Sequence, residues 1–546
     1  MASTLDHLSD PVIGGGEKLS LSLWLQLMKC TKEIEAGVGS RLRKTHNQSL
    51  ARFDVLSQLH RFGGDWASVG EIAARVMASS GNITGLVDRM VAEDLIERRA
   101  SPDDRRSFQL RMTAPGRKLF DDMTRVEILR IQSERKRVAF ERAKQAGWYK
   151  GKLDHINADK LDDPEEWQKI PIVDKDVLRK LDHKTFMEQF CIAPRKDIAE
   201  YWRSGGTTGT PVFYPRTFRD VDYGMVTWHR SFPAMGIHPG DSCHISFPLG
   251  IHPAGQIWAR SAHQVGVGMN WVGAGNSVPS AAQLALIQSL EPTVLISMPS
   301  FALHLSNLAA EQGIDLTQSS VSKIICSAEP LSDAKREKLA RTWGAEVFNV
   351  FGMSEAGLMG SEAAAHDGIH IWSDMFFLEV VDPETGEMLP PGSEGHLCQT
   401  PLWTNHATPF LRWNAGDIVT LVEQGESDGV FAELFPMIRH ANRTTGFFKI
   451  RGVNINHAEF EDFVFSIPPV NDFQAVLVTD DNDLETLNVR IEVRRGEDAG
   501  AIAADMAERI KAIFEMSARI DVLEIGTLAR LFESSIKAPR FVDERK

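Results

Sequence analysis

At 546 residues the chain is longer than one hydrophobic core ordinarily serves, so several domains are expected. Its 43% hydrophobic and 25% charged residues exclude a disordered composition, and no apolar run approaches the roughly 18 residues that cross a bilayer. The net charge of −14 is uneven: residues 17–145 carry 24 Lys and Arg against 17 Asp and Glu, a basic block on an acidic chain, which predicts parts that meet different partners.

Residues 1–16 are polar, end in Gly14-Gly15-Gly16 and read as a flexible leader; Asp6, Asp10 and the lack of a basic-then-apolar order predict no secretory signal. The spacing of Leu21, Trp24, Leu25 and Met28 predicts a helix from Leu19 to about Lys44, and Phe53, Leu56 and Leu59 a second over Leu50–His60. Ser68 and Glu71 form a capping-box pattern at the start of a third helix. A fourth opens near Ser79-Ser80-Gly81-Asn82 and runs through Ile83, Leu86, Val87 and Met90 to about Asp94. Two short helices across a tight turn make a helix-turn-helix. Leu95–Arg99 and Ser107–Met112 read as strands joined by the charged turn 101–106, forming a wing.

The stretch from Gly85 to Phe120, with its aspartate-arginine wing tip and its Thr113…Gly116-Arg117 helix start, resembles the MarR family of winged-helix repressors. The resemblance covers roughly residues 18–135. It implies that Ser79–Arg89 lies in a major groove, with Ser79, Ser80, Asn82, Thr84 and Arg89 as base or phosphate contacts. Arg105 and Arg106 would reach the backbone or minor groove of operator DNA. The alternative is that these arginines solvate a turn, with Arg98 or Arg99 paired to Asp103 or Asp104. The resemblance also implies a homodimer through Leu19–Lys44 and Asp121–Ala143. Residues 124–147 are charged and helical in pattern and continue into the next domain with no Pro/Gly-rich linker.

Ser204-Gly205-Gly206-Thr207-Thr208-Gly209-Thr210-Pro211 carries three glycines that let backbone N–H groups curl toward an anion, and hydroxyls that add donors. It lacks the Walker A pattern, and its bland reading is a flexible turn. The string resembles the phosphate loop of adenylate-forming enzymes, the acyl- and aryl-CoA ligase superfamily. Leu161–Lys180, with Pro171, Lys175, Leu178 and Arg179, is similar to the opening of phenylacetate–CoA ligases, and that resemblance extends through the rest of the chain.

It implies a set of roles. Ser204, Gly205, Gly206, Thr207, Thr208 and Gly209 hold ATP phosphates, Thr207 with a catalytic part. Ser327-Ala328-Glu329-Pro330, after the apolar strand Val321–Ile325, packs on adenine, at the strand end where α/β sheets bind ligands. Phe351-Gly352-Met353-Ser354-Glu355 matches the Tyr-Gly-x-Ser/Thr-Glu motif, so Ser354 touches phosphate and Glu355 holds magnesium; Phe351 replaces the family tyrosine. Asp374 lies near the nucleotide, and Asp417 takes the ribose hydroxyls because a carboxylate accepts two O–H donors at once. Arg443 precedes the hinge, where Thr445-Gly446 stands in place of the family acid. Lys537, before Ala538, Arg540 and Asp543, occupies the place of the adenylation lysine, with Ile536 for the usual glycine. Phe247, His252 and Trp258 are acyl-pocket candidates, with plain core packing as the alternative; His244, His252 and His263 near Cys243 are spaced irregularly for a structural metal.

The expected fold is multidomain: an α+β winged helix-turn-helix (residues 17–145), an α/β adenylate-forming large domain (146–441) and a small α+β C-terminal domain (442–546). Five scattered cysteines with no C-x-x-C pair suit reduced thiols and a cytoplasmic protein with no membrane partner. Three functional readings stand. The first is a bifunctional transcriptional regulator and aromatic acid–CoA ligase that uses ATP, magnesium and coenzyme A on a phenylacetate-like acid and controls an aromatic-acid catabolic operon. The second is a repressor whose impaired ligase part only senses ligand, and the third an enzyme whose winged helix is a dimerisation arm.

Overall fold

A computed structural model describes residues 16–60, 62, 65–76, 80–102, 107–203, 212–275, 277–422, 434–443, 447–450, 453–479, 485–514, 516–532 and 540–545, with backbone only at 16–22, 80–82, 440–443, 447–449, 453–454, 458, 529 and 532. The chain forms two units, Met1–Glu127 and Ile128–Lys546. Among the described residues, no helix is long and apolar enough to cross a membrane.

In the first unit, helices Gly16–His46, Leu50–His60, Val69–Arg75 and Ser80–Ala92 accompany a three-stranded antiparallel sheet. Phe108–Met112 is its central strand, with Ala67–Ser68 on one side and Ile96–Ala100 on the other. Ser68 and Glu71 close the expected capping box: Ser68 Oγ accepts from the Glu71 N–H at 3.1 Å, and Glu71 accepts from the Ser68 N–H at 2.8 Å. Leu56, Ile72, Val87, Met90, Leu110, Phe120 and Met123 share one buried core. Phe120 and Met123 come from the helix Ala114–Ala143, whose first turn is set by Thr113: its hydroxyl donates to the Asp94 carbonyl and accepts from the Gly116 N–H. On the first helix Trp24, Leu25, Leu27 and Ile34 are exposed.

The second unit is built on a 12-stranded mixed sheet. Its parallel half runs Gly268–Trp271, Ser242–Ile245, Val294–Ser297, Lys323–Cys326 and Glu346–Met353, with crossover helices Pro253–Gln264, Ser280–Leu290, Pro299–Gln312 and Asp333–Trp343 between them in the chain. Val294–Ser297 is buried at every position, as a strand covered on both faces must be. The antiparallel half continues through Gly357–Ser361, Ile369–Ile371, Met437–Arg443, Trp413–Val422, Glu394–Pro401 and Phe376–Val381. In the turn at 382–386 the Gly386 N–H returns to the Asp382 carbonyl.

A four-stranded sheet of Ala518–Leu523, Glu485–Val493, Val470–Thr479 and Phe541–Asp543 makes the C-terminal portion. It is fastened to the preceding helices through buried polar contacts. Asn307 Nδ2 donates to Asp472 at 2.8 Å, Lys338 Nζ to the Val470 carbonyl at 2.8 Å, and Lys335 pairs with Glu461 at 2.7 Å. Arg540 closes on Asp472 from the other side, Nε to Oδ1 at 3.0 Å. Burial lowers the Lys338 ammonium to about 7.

Candidate active site

The expected phosphate loop, Ser204–Pro211, lies outside the described residues, but the strands on both sides of it are described. Ile198–Arg203 and Phe213–Thr217 pair antiparallel, with Arg203 opposite Phe213, so the loop closes a hairpin. Ser354 and Glu355 follow the strand Glu346–Met353 and dock on that hairpin. Arg216 Nη2 donates to the Ser354 carbonyl at 2.5 Å, Ser354 Oγ reaches the Arg203 carbonyl at 3.4 Å, and Tyr214 Oη donates to Glu355 Oε1 at 2.9 Å. The partners are 138 and more residues apart in the chain.

These side chains are held in a dry setting. Tyr214 is 3%, Arg216 1% and Glu355 5% exposed. Burial, followed by the neighbouring Glu355 charge, raises the Tyr214 phenol well above its ordinary value, so it stays a proton donor to the carboxylate. Arg216 Cζ lies 4.5 Å from the centre of the Trp202 ring, a cation–π contact that holds the guanidinium against the hairpin. Burial favours its neutral form, while the Asp220 and Glu355 carboxylates work against that shift. Neither Tyr214 nor Arg216 was singled out from the sequence; a Phe-Tyr-Pro-Arg-Thr strand returning from a Gly/Thr loop is the signal that marks them.

Gly352 sits at a register shift between Glu346–Met353 and Gly357–Ser361, where a Cβ would meet the Gly357 carbonyl oxygen at 2.7 Å. That close approach is what turns the chain so that Ser354 and Glu355 face the hairpin. Phe351 is buried beside it. The segment Ser327–Pro330 follows the C-terminal end of Lys323–Cys326, with Ala328 held at φ 67°, a conformation that costs a residue with a Cβ on the order of 1 kcal/mol or more. Glu329 accepts the Ser300 N–H at the start of Pro299–Gln312 at 3.1 Å, so its carboxylate anchors the loop.

Asp417 is buried on Trp413–Val422 and is the register partner of Arg443, the last residue of Met437–Arg443. Sheet order separates this pair from Gly357–Ser361 by the strand Ile369–Ile371. Asp374 forms a two-pronged ion pair with Arg230, at 2.6 and 2.7 Å. Phe247 and Trp258 are fully buried, and Trp258 packs edge-on against Trp228 and Phe232. His252 is the residue before Pro253–Gln264. His244 is lowered to about 4 by burial and shares Gln283 with Ser246, so it serves a buried polar cluster.

Lys537, Thr444–Gly446 and Ile536 lie outside the described residues, as do Ser79, Arg105 and Arg106. So do the side chains of Ser80, Asn82 and Arg443. Thr84 and Arg89 are exposed on Ser80–Ala92. Arg98 pairs with Asp88 at 2.7 Å, and Arg99 donates to Gln109 and lies over Trp66 at 4.1 Å, so both have partners among the described residues.

The AMP-binding enzyme family matches residues 121–400, and the AMP-binding enzyme C-terminal domain matches 452–545. The chain belongs to the AMP-binding enzyme family. Residues 48–107 match the MarR family, so a MarR-type winged helix is fused to a phenylacetate–CoA ligase-like, AMP-forming acid–CoA ligase. A phenylacetate–coenzyme A ligase of Aromatoleum evansii is 30% identical over 362 residues, 64% of this chain and 80% of that protein. The HTH-type transcriptional regulator MhqR of Bacillus subtilis is 30% identical over 104 residues, 19% of this chain and 70% of that protein. In fold, the chain resembles a 2-hydroxyisobutyryl-CoA ligase in its postadenylation state, with TM-score 0.66 and 20% identity over 76% of this chain and 89% of that one. The two families imply ATP and coenzyme A use with an acid substrate on one side and DNA binding on the other.

Proposed function

We propose that the protein is bifunctional: it activates a phenylacetate-like aromatic acid with ATP, passes it to coenzyme A, and binds an operator controlling an aromatic-acid catabolic operon. One observation carries the ligase half: Ser354 and Glu355 are fastened to the stems of the Ser204–Pro211 loop by Arg216 and Tyr214. A carboxylate is a poor electrophile, so the residues at that junction must hold the triphosphate in line with it. In this reading the 204–209 backbone and Thr207 cradle phosphate, Ser354 adds a donor, Ser327–Pro330 and Asp374 border the nucleotide, and Asp417 with Arg443 holds the ribose end. Phe247, His252 and Trp258 shape the acyl pocket. Lys537 neutralises charge at the α-phosphate.

Magnesium fits the donor set. Glu355 offers a hard carboxylate oxygen, with Oε1 fixed by Tyr214 and Oε2 taking no hydrogen bond among the described residues. Glu355 would hold the ion, which when bound spreads the phosphate charge. We infer domain limits of 17–145, 146–441 and 442–546, a cytoplasmic protein, and a homodimer through Leu19–Lys44 and Asp121–Ala143, the first of which exposes Trp24, Leu25 and Leu27.

The test is a panel of aromatic acids assayed with ATP, with and without coenzyme A. At least one acid should give acid-dependent pyrophosphate release and, with coenzyme A, a thioester; Lys537→Ala should cut the adenylation rate at least about a hundredfold, a few kcal/mol of transition-state stabilisation. No acid-dependent release across the panel would favour the sensor reading, which Phe351, Thr445-Gly446 and Ile536 motivate. For the other half, Arg105→Ala with Arg106→Ala should weaken operator binding and reduce its salt slope by about two, with ligase rates unchanged. Gel-shift titrations at several salt concentrations measure this, and an unaltered affinity would remove the wing from the interface.

A further inference from the structure

A cavity lies beside the helix Ala114–Ala143. It has a volume of about 540 Å³, with Leu129, Pro164, Phe377 and Met388 on its apolar side and Lys136, Gln132, Ser133 and Asp162 on its polar side. None of the residues assigned to the nucleotide or acyl site lines it.

Lys136 is 5% exposed. A lysine so deeply buried ordinarily has an anionic partner. Here the ammonium stands 4.3 Å from the centre of the Trp167 ring and 4.2 Å from that of Phe377, and among the described residues it makes no hydrogen bond or ion pair. The acids that act on it are committed elsewhere. Asp162 accepts from Ser133 Oγ at 2.6 Å and Arg137 Nη2 at 2.8 Å, and Glu379 from Trp167 Nε1 at 2.6 Å and Arg412 Nε at 3.0 Å. Arg130, also on the lining, is paired with Glu134. A largely buried cation with three donors therefore faces a cavity that has an apolar wall and a size that suits a small organic ligand.

We propose that this cavity is a binding site for a small monocarboxylate with an aromatic or apolar body, its carboxylate on Lys136 and its body against Phe377 and Met388. The acid completes the ion pair that the chain leaves open, and the site operates whether or not the ligase half is active. Burial holds the Lys136 amine at about 8, with Asp162 and Glu379 favouring its charged form and Arg137 opposing it. Since the amine must be protonated to hold a carboxylate, affinity is full below that value and falls as pH rises through it.

The experiment is equilibrium dialysis of radiolabelled phenylacetate against the full-length protein without nucleotide, in wild type, Lys136→Met and Glu355→Gln. Beyond any phenylacetate held in the acyl pocket, wild type and Glu355→Gln should retain one equivalent that Lys136→Met binds at least tenfold more weakly, with Lys136→Met keeping its melting temperature and its ligase rate at saturating acid. In wild type alone, that equivalent should weaken at least tenfold between pH 7 and pH 10, and phenylacetamide should displace it at least tenfold less well than phenylacetate. Equal retention by wild type and Lys136→Met, no retained phenylacetate, or equal displacement by the amide would each overturn the proposal. A failure of the ligase reading shows instead as absent acid-dependent pyrophosphate release with this equivalent intact.

Discussion

Glu355→Gln is expected to lower acid-dependent pyrophosphate release by about 10²–10³-fold while leaving the protein folded. The amide has the same shape, and its carbonyl oxygen can still accept the Tyr214 hydroxyl that lies 2.9 Å from the native carboxylate. What is lost is the negative charge in a site where Glu355 is almost fully buried and where little solvent screens it. Tyr214→Phe supplies the companion measurement. It keeps the charge but frees Oε1, so a loss of roughly tenfold is expected, matching the net worth of one hydrogen bond to a charged group. A Glu355→Gln enzyme of undiminished rate would make the Tyr214–Glu355 contact purely structural and move the metal-holding role off this residue. Pyrophosphate release, followed against thermal melting, separates the two.

Gly116→Ala is expected to disable the winged helix and spare the ligase. A Cβ at position 116 would stand 1.9 Å from the Leu95 carbonyl oxygen and 2.8 Å from its carbon, backbone atoms that cannot swing away as a flexible side chain would. The Gly116 N–H is also held by Thr113 Oγ, which fixes the first turn of the helix against the Asp94–Leu95 corner. Overpacking of this kind costs about 2–3 kcal/mol or more, so the first unit should melt at least about 8 °C lower and lose operator affinity. Gly85→Ala makes the control of opposite sign. Its Cβ would meet nothing within 4 Å, so helix propensity alone should raise stability by about 1 kcal/mol. Calorimetry of the three proteins reads both effects. A Gly116→Ala protein with unchanged melting and DNA affinity would show that the Leu95 corner yields freely.

Local pattern was enough for features whose partners are neighbours in the chain. Ser68 and Glu71 are three residues apart, so their capping box needs nothing beyond the helix they start. The wing strands Ile96–Ala100 and Phe108–Met112 pair across a short turn, and the 382–386 turn closes on its own backbone. Apolar runs such as Val321–Ile325 announced a buried strand, though pairing on both sides places it at Lys323–Cys326, since a ladder ends where its neighbours' hydrogen bonds end. Family strings carried the MarR and ligase assignments in the same way, because each is a contiguous motif.

Tertiary structure alone decided which distant side chains meet. Tyr214 reads in sequence as one more aromatic in a strand; it becomes a site residue only when the sheet carries Glu355, 141 residues later, against the hairpin. The clamp of Asn307, Asp472 and Arg540 joins three separated segments through buried charge that no single stretch explains. Lys136 sits in a run of charged helical residues that reads as a solvated face, yet the fold wraps Trp167 and Phe377 around it. The sequence by itself determined element types and the two-family architecture, because these depend on local hydrogen bonding, periodicity and contiguous motifs. Burial, ion pairing and the open cation of Lys136 depend on desolvation by residues far along the chain, and only the folded arrangement sets that.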